Sequence, residues 1–180
     1  QVTDPDDGDT HVVSSSDSRF EVVHGILQLS SGVSLDHEAA DRLIIELTAT
    51  DRGGDGLSYE ESITIDINDV NEAPNENEAM EDQTIRWNQD LHFELPAAAF
   101  EDVDEGDALD YSAALTDGTP LPSWLEFDGG DTRFSGVPAE NHVGPWEVAV
   151  TTTDSGGLTA SGTVTIRVEE NPFPWHNWAG

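Results

Sequence analysis

The chain has 180 residues, in which 38 Asp and Glu residues stand against 6 Lys and Arg residues, a formal net charge of −32 at pH 7. This charge excludes nucleic acid and anionic membranes as direct partners, because both require a basic surface. The lack of cysteine excludes disulfides, thiolate metal sites and a cysteine nucleophile. No apolar run approaches the roughly 18 residues of a membrane-spanning helix, so no direct membrane insertion is expected.

Alternating apolar residues, rather than a helical period, predict β-strands along the chain. In chain order, the predicted strands are 19–23, 25–29, 43–49, 62–67, 91–95, 109–114, 125–127, 146–151 and 163–168. Ile63, Ile65 and Ile67 are expected to share one face. Short strands separated by Gly, Pro, Asp and Asn are typical of antiparallel β-sandwiches.

Two acidic motifs occur twice. DPDDGD at 4–9 returns 98 residues later as DVDEGD at 102–107, and TATDRGG at 48–54 returns 103 residues later as TTTDSGG at 151–157. A period of roughly 100 residues is the size of one small β-sandwich domain. Carboxylates on Gly-containing turns are the hard oxygen ligands that calcium prefers.

The negative charge must be partly neutralised, because like charges oppose compaction. Bound divalent cations are one explanation, and a saline environment with a generally acidic surface is another. Much of the charge lies in short turn motifs rather than scattered positions. This distribution favours calcium, with salt adaptation as an addition.

The boundary between two domains is predicted near Asn71-Glu72-Ala73-Pro74, because proline cannot donate a ladder hydrogen bond and restricts the residue before it. The predicted domains are 1–73 and 74–170, and the proline-rich 171–180 is predicted to be a linker to another module. The second domain has room for two strands before Asp102. The first has three residues before Asp4, so it is predicted to lack its N-terminal strand or strands, to be an excised piece of a longer chain, and to be less stable.

Three segments of the first repeat resemble the signatures of a bacterial cadherin repeat: Leu35-Asp36-His37-Glu38, Thr50-Asp51 and Asp69-Val70-Asn71-Glu72-Ala73-Pro74. The second repeat resembles a dystroglycan-type cadherin-like domain. Its matching segments are Asp82-Gln83-Thr84, Phe100-Glu101-Asp102-Val103-Asp104, Leu121-Pro122-Ser123-Trp124-Leu125 and Phe134-Ser135-Gly136-Val137-Pro138, followed by Asp154. The resemblance implies an all-β fold of two tandem Greek-key, immunoglobulin-like or cadherin-like β-sandwiches.

The resemblance also implies Ca²⁺ between the repeats, which would stiffen the hinge. The implied ligands are Asp36, Glu38, Asp69, Asn71 and Glu72 from the first domain and Asp102, Asp104 and Asp154 from the second. Glu72 stands where the family usually has Asp, and Ala73 where many members have Asn. The number of ions is left open between one and three. Two further groups resemble ligands of neighbouring junctions, namely Asp4, Asp6 and Asp51 for a preceding one and Asp82 and Glu170 for a following one.

Other interpretations apply to the same residues. Any single Asp is also explained as a turn cap that accepts nearby N–H groups. Asp154-Ser155-Gly156-Gly157 resembles a protease nucleophile segment, but its counterpart has Arg52 in place of the serine. Asp128 and Asp131 flank an apparent hairpin turn, which is favoured over a glycosidase pair.

Trp124 and Trp146 are predicted to be core residues, whereas Trp87, Trp175 and Trp178 are candidates for exposed rings that stack on sugars. The sequence thus predicts a non-enzymatic, calcium-rigidified adhesion or spacer module of a large secreted or cell-surface protein, with homophilic or heterophilic protein contacts or polysaccharide as partners. The alternative is a calcium-stabilised carbohydrate-binding module that targets a secreted enzyme or a cell to polysaccharide.

Overall fold

The computed structural model describes residues 10–52 and 56–172. The motif at 4–9, Gly53-Gly54 and the tail with Trp175 and Trp178 lie outside these ranges. The chain divides into two compact units, Gln1–Val70 (unit 1) and Asn71–Gly180 (unit 2). The described residues form strands and one short 3₁₀ helix, which confirms the all-β prediction. They include no apolar helix long enough to cross a membrane.

Unit 1 contains five described strands: β1 His11–Ser15, β2 Phe20–Val23, β3 Ile26–Leu29, β4 Arg42–Asp51 and β5 Ser58–Asp66. They form an antiparallel sheet of order β1-β4-β5 and a separate β2-β3 hairpin. His24 and Gly25 connect the hairpin with φ values of 51° and 78°, the left-handed backbone that a tight two-residue turn requires. The buried apolar residues in the described part of unit 1 are Phe20, Ile45 and Ala49.

Unit 2 contains nine described strands. They are β6 Asn75–Glu76, β7 Gln83–Arg86, β8 Leu91–Glu94, β9 Phe100–Glu101, β10 Asp110–Leu115, β11 Leu125–Asp128, β12 Arg133–Gly136, β13 Gly144–Thr153 and β14 Thr159–Glu169, and the 3₁₀ helix is Glu140–His142. The sheet orders are β10-β13-β14-β7, β11-β12-β8 and β6-β9. The core contains Phe134, Val148 and Ile166, none of them measurably exposed.

One strand pair departs from the purely antiparallel prediction, since β7 pairs with β14 in parallel. The two strands come from the beginning and the end of unit 2, and β7 continues into β8 of the second sheet. No short hairpin joins them, and a long connection is what permits parallel pairing.

The nine strands expected from alternation all correspond to observed strands, with ends that differ by up to four residues. Alternation did not identify β1, β7 and β12, nor the two-residue strands β6 and β9. The sequences HVVSS, QTIR and RFSG each contain one or two large apolar residues, too few for a period of two to stand out. Trp124 is buried and Trp146 packs against the core, as predicted, and Trp87 is partly buried against it.

Candidate metal centre

Asp154 lies in the turn that joins β13 to β14, where the TTTDSGG motif ends the first of these strands. Its N–H donates to the carbonyl of Leu158 at 3.0 Å, and its Oδ1 accepts the N–H of Leu158 at 2.7 Å. The residue is 5% exposed. The turn therefore holds one carboxylate in a fixed, nearly buried position.

Burial favours the protonated form of Asp154, but hydrogen bonds outweigh it. The Asn71 amide and the backbone N–H groups of Leu158, Gly157 and Gly156 together hold the pKa of Asp154 below its ordinary value. Asp154 is therefore a carboxylate at neutral pH. A charged, buried carboxylate is the form in which Asp ligates a metal.

The DVDEGD motif forms the turn after β9. The N–H of Asp104 donates to Asp102 Oδ1 at 3.0 Å, and the N–H of Asp107 donates to the Asp104 carbonyl at 3.2 Å. Gly106 has a φ of 95°, a backbone conformation that side chains with a Cβ rarely adopt. Ser155 Oγ donates to Asp107 Oδ1 at 2.6 Å, which ties this turn to the turn of Asp154.

Carboxylate oxygens of Asp102, Asp107 and Asp154, called here the aspartate cluster, lie within 4.8 Å of one another. Asp102 Oδ2, Asp107 Oδ2 and the neighbouring Asp104 Oδ1 are buried, and the structure gives them no hydrogen-bond partner. Turn capping explains one oxygen of Asp102 and leaves its other oxygen without a role. Buried carboxylate oxygens without donors are costly, and a bound cation is one way to satisfy them.

The electrostatic repulsion within the aspartate cluster also favours a bound cation. Two unit charges about 4 Å apart repel by roughly 4 kcal/mol at the effective dielectric of a protein surface. The aspartate cluster contains three such groups, and none of the five described Arg–Asp or His–acid ion pairs involves them. Several convergent carboxylates are the donor set that Ca²⁺ prefers, so these residues fit the predicted ion.

Asn71 and Glu72, the first residues of unit 2, contact this centre. Asn71 Nδ2 donates to Asp154 Oδ2 at 3.0 Å and to the Glu72 carbonyl at 3.1 Å. The N–H of Glu72 donates to Asp104 Oδ2 at 2.9 Å, and carboxylate oxygens of these two residues lie within 4.8 Å of each other. The Asn71 amide lies against Gly156, where a Cβ would overlap it. Five of the eight predicted ligands therefore come together within unit 2.

In unit 1, Glu38 and Asp69 come together around His37. His37 Nδ1 lies 3.2 Å from Glu38 Oε1 and 3.6 Å from Asp69 Oδ1. The hydrogen bond to Glu38 and the charges of Asp69 and Asp41 raise the pKa of His37 above its ordinary value, against the opposing effect of burial. Asp36 instead caps a turn, where its Oδ1 accepts the N–H groups of Glu38 and Ala39 at 3.0 and 3.2 Å.

The sequence argument did not assign two residues of these groups, Asp107 and His37. Asp107 ends the repeated DVDEGD motif, so the repetition itself was a usable signal. His37 lies between two predicted ligands, but no histidine spacing distinguished it. Asp128 caps its hairpin turn by accepting the N–H groups of Gly130 and Asp131, as the simpler interpretation predicted. Asp82 Oδ1 accepts the N–H of Thr165, which gives it a structural role on β14.

The sheets and turns of the two units define an immunoglobulin-like and cadherin-like β-sandwich class. A family described as "Putative Ig domain" matches residues 73–169, more than half of the chain. The chain belongs to this family of immunoglobulin-like domains.

Solved cadherin structures have the same fold. Extracellular domains 1–5 of protocadherin gamma B2 match with a TM-score of 0.69 and 20% identity, over 91% of this chain and 34% of that one. Mouse cadherin-23 EC22–24 matches with a TM-score of 0.63 and 21% identity, over 89% and 53%. Human mucin-like protocadherin EC1–2 matches with a TM-score of 0.55 and 16% identity, over 92% and 86%. The chain spans about a third of the first of these structures.

Proposed function

We propose that the chain is a non-enzymatic, calcium-rigidified adhesion or spacer module of a large secreted or cell-surface protein. The observation that supports this most directly is the set of buried oxygens without donors on Asp102, Asp104 and Asp107. They lie in the turn of a motif that occurs twice in the chain. A repeated motif that leaves carboxylates buried and uncompensated is better explained by cation binding than by turn formation alone.

Within unit 2, the aspartate cluster would hold one ion, and Glu72 with Asp104 would contribute to a second position. Glu38, Asp69 and Asp36 are the proposed ligands from unit 1. Calcium supplies the positive charge that converts mutually repelling carboxylates into a cross-link. The turn backbone holds Asp102 and Asp154 in place before any ion arrives, which reduces the entropic cost of assembling the ligands.

The spacer role follows from the order of the ligands in the chain. Asp69 and Asn71 are separated only by Val70, so the backbone between them spans at most about 7 Å. Ligands from both units that share calcium would restrict rotation about this short connection. The resemblance to cadherin repeats supports sharing, and an extracellular calcium concentration would keep such sites filled. Homophilic or heterophilic protein contacts are the proposed partners.

Calcium titration by calorimetry, combined with thermal unfolding in calcium and in chelator at equal ionic strength, tests the metal proposal. A site present at about 100 times its Kd adds roughly 2.7 kcal/mol to the free energy of unfolding. Asp154→Asn should abolish most of this gain. Asp128→Asn is the matched control, because Asp128 caps a turn outside the cluster. Equal calcium effects in both variants would contradict the proposed ligands.

A second experiment tests stiffening separately from binding. The chain has no cysteine, so Glu60→Cys and Glu126→Cys place one exposed spin label in each unit. The distribution of distances between the labels should narrow when calcium is added. If calorimetry detects calcium binding but the distribution of label distances does not narrow, the chain binds calcium without becoming stiffer, and the spacer mechanism is rejected.

A third experiment tests the carbohydrate-binding alternative. The described tryptophans, Trp87, Trp124 and Trp146, all lie in or against the core of unit 2, so none is fully exposed. Binding to a polysaccharide panel that disappears in Trp87→Ala would nevertheless replace the spacer proposal with the targeting role. Absence of glycan binding together with calcium-dependent stiffening supports the spacer.

A further inference from the structure

The side-chain amide of Asn71 lies at the edge of the proposed calcium centre and donates to two oxygens. Its Nδ2 lies 3.0 Å from Asp154 Oδ2 and 3.1 Å from the carbonyl oxygen of Glu72. Both partners are acceptors only, because one is a carboxylate and the other is a backbone carbonyl. The reverse orientation of the amide would direct Asn71 Oδ1 at two acceptors. The hydrogen-bond network of the ion-free chain therefore fixes which end of the amide faces Asp154.

The backbone of the next residue makes a similar contact. The N–H of Glu72 donates to Asp104 Oδ2 at 2.9 Å. Asp104 and Asp154 are only 9% and 5% exposed, so these two donors take the place of water at nearly buried carboxylates. An N–H group carries partial positive charge, and it therefore fills part of the role that a cation would have.

Other buried oxygens of the centre have no such donor. Oδ2 of Asp102, Oδ1 of Asp104 and Oδ2 of Asp107 have no hydrogen-bond partner. Because carboxylate oxygens of Asp102, Asp107 and Asp154 lie within 4.8 Å of one another, an ion that serves the unpaired oxygens would also lie close to Asp154. Amide nitrogens are donors, whereas amide oxygens are calcium ligands. One end of Asn71 thus suits the empty centre, and the other end suits the filled one.

The surroundings of the Asn71 amide leave room for either orientation. The amide lies against Gly156, where a Cβ would overlap both its oxygen and its nitrogen. The two ends of an amide are nearly the same size, so a half rotation about the last side-chain bond needs no new space. Glycine at position 156 is therefore compatible with both orientations, whereas a larger residue would exclude both.

We propose that the Asn71 amide is a two-position switch that responds to the occupancy of the calcium centre, an inference that rests on the proposed calcium-binding function. Without the ion, Nδ2 donates to Asp154. With the ion, the amide turns by a half rotation, and Oδ1 becomes a ligand. Because the hydrogen bond to Asp154 must break first, calcium binds less tightly than it would if position 71 offered oxygens alone. Asn71 is the first residue of unit 2, so the switch holds the beginning of this unit on the turn of Asp154 in both states.

Side-chain amide NMR follows the switch directly, and Asn71→Ala identifies the Asn71 signals by their absence. In chelator, the Asn71 NH2 protons should exchange with water at least about tenfold more slowly than those of an exposed amide. Saturating calcium should remove this protection. The control in the same spectrum is Gln28, whose Nε2 donates to Glu21 Oε1 at 2.9 Å outside the centre and should show no change.

A substitution tests the effect on affinity. Asn71→Asp offers oxygens only, so calcium should bind at least about tenfold more tightly than to the unsubstituted chain. In chelator, this variant should have a lower melting temperature than Asn71→Ala, because it adds a carboxylate without donors to a centre of like charges. Asn88→Asp is the matched control and should show neither effect. It adds the same charge in the turn between β7 and β8, at a left-handed position that Asp tolerates.

Four outcomes decide against the switch. Calcium binding that calorimetry detects but that leaves the Asn71 amide protected would overturn it and leave the calcium proposal intact. An unprotected Asn71 amide in chelator would also overturn it, and this measurement needs no calcium. An Asn71→Asp variant that binds calcium no more tightly than the unsubstituted chain would contradict the effect on affinity. Failure of the calcium proposal itself is recognised separately, because calorimetry would then detect no binding, and the switch would fail with it.

Discussion

At the scale of single residues, Asp107 is a proposed calcium ligand whose role a single substitution can test. It accepts from Ser155 with one oxygen, while its other oxygen is buried without a donor in the aspartate cluster. The corresponding position in the first repeat is Asp9, and the position of Ser155 corresponds to Arg52. The sequences of the two repeats therefore differ at this position, with Arg52 in the first and Ser155 in the second.

Asp107→Asn should weaken calcium binding by at least about tenfold, or about 1.4 kcal/mol, because it removes one ligand charge from the cluster. The amide still accepts from Ser155, so the thermal midpoint in chelator should change little. Calorimetric titration measures the affinity. Unchanged affinity would show that Asp107 is a structural residue of the turn.

Gly156→Ala is expected to act through Asn71. The added Cβ would overlap the Asn71 amide, which must then leave Asp154. We expect a loss of about 1–3 kcal/mol in unfolding free energy, the usual cost of overpacking, and a rise in the pKa of Asp154. Urea unfolding and NMR titration of the carboxyl carbon measure the two effects. Gly130→Ala, where the nearest atom is Asp128 Oδ1 at 3.4 Å, is the control and should show neither effect.

Asp117 provides a pH dependence that does not involve metal. The Thr119 hydroxyl donates to Asp117 Oδ1 at 2.6 Å and the Thr119 N–H at 2.9 Å, and these bonds hold the pKa of Asp117 below its ordinary value. The stabilisation is complete above the unfolded pKa of about 3.9 and is lost as the pH falls through the lowered folded pKa.

Thr119→Val should raise the pKa of Asp117 toward the ordinary value and remove part of this acid-dependent stabilisation. Thr119→Ser keeps the hydroxyl and should restore the low pKa. A carboxyl NMR titration distinguishes the variants. If Thr119→Val leaves the titration midpoint unchanged, the hydroxyl is not the main cause of the shift.

At the scale of strands, equivalent positions of the two units allow a matched comparison. Ile166 faces Trp146 in the β13–β14 pair and is fully buried, whereas Ile65 faces Leu43 in the β4–β5 pair and is only partly buried. Ile166→Ala should cost about 2–5 kcal/mol of unfolding free energy, as is usual for buried isoleucine. Ile65→Ala should cost clearly less, because the side chain already contacts solvent.

Denaturant unfolding with one probe in each unit measures both costs. Equal losses would mean that Ile65 is as well packed as Ile166, and would contradict the difference in burial between the two side chains.

At the scale of the whole molecule, the hydrophobic cores of the two units differ more than their strand arrangements do. The buried apolar residues of the described part of unit 1 are Phe20, Ile45 and Ala49, whereas unit 2 has a continuous core that includes Trp124, Phe134 and the inward valines of β13 and β14. Because stability follows buried apolar area, the two units should not be equally stable.

Unit 1 is therefore expected to unfold before unit 2. Calorimetric scans should show two transitions, and limited proteolysis below the second one should cleave within residues 10–70 first. Sodium chloride should raise both transitions by screening the charge, and calcium should raise them further at equal ionic strength. A single transition with uniform cleavage would contradict this order.

Local patterning was sufficient for much of the fold, whereas the candidate ligands came from the resemblance to cadherin repeats and remain predictions. Alternation predicted that Ile63 and Ile65 share one face of β5, although the strand ends before Ile67, and glycines beside aspartates predicted the turns. These features depend on residues that are neighbours in the chain, so a single sequence contains them. Repetition of the acidic motifs also indicated two domains of one architecture.

Other features required the folded chain. The parallel pairing of β7 with β14, the contact of Asn71 with Asp154 across 83 residues, and the buried second oxygens of Asp102 and Asp107 depend on which distant segments meet. The short strands β7 and β12 were likewise recognisable only through their partners. The burial of a side chain and the absence of a hydrogen-bond partner for its oxygen depend on which distant segments enclose it. No spacing of residues along the chain records them.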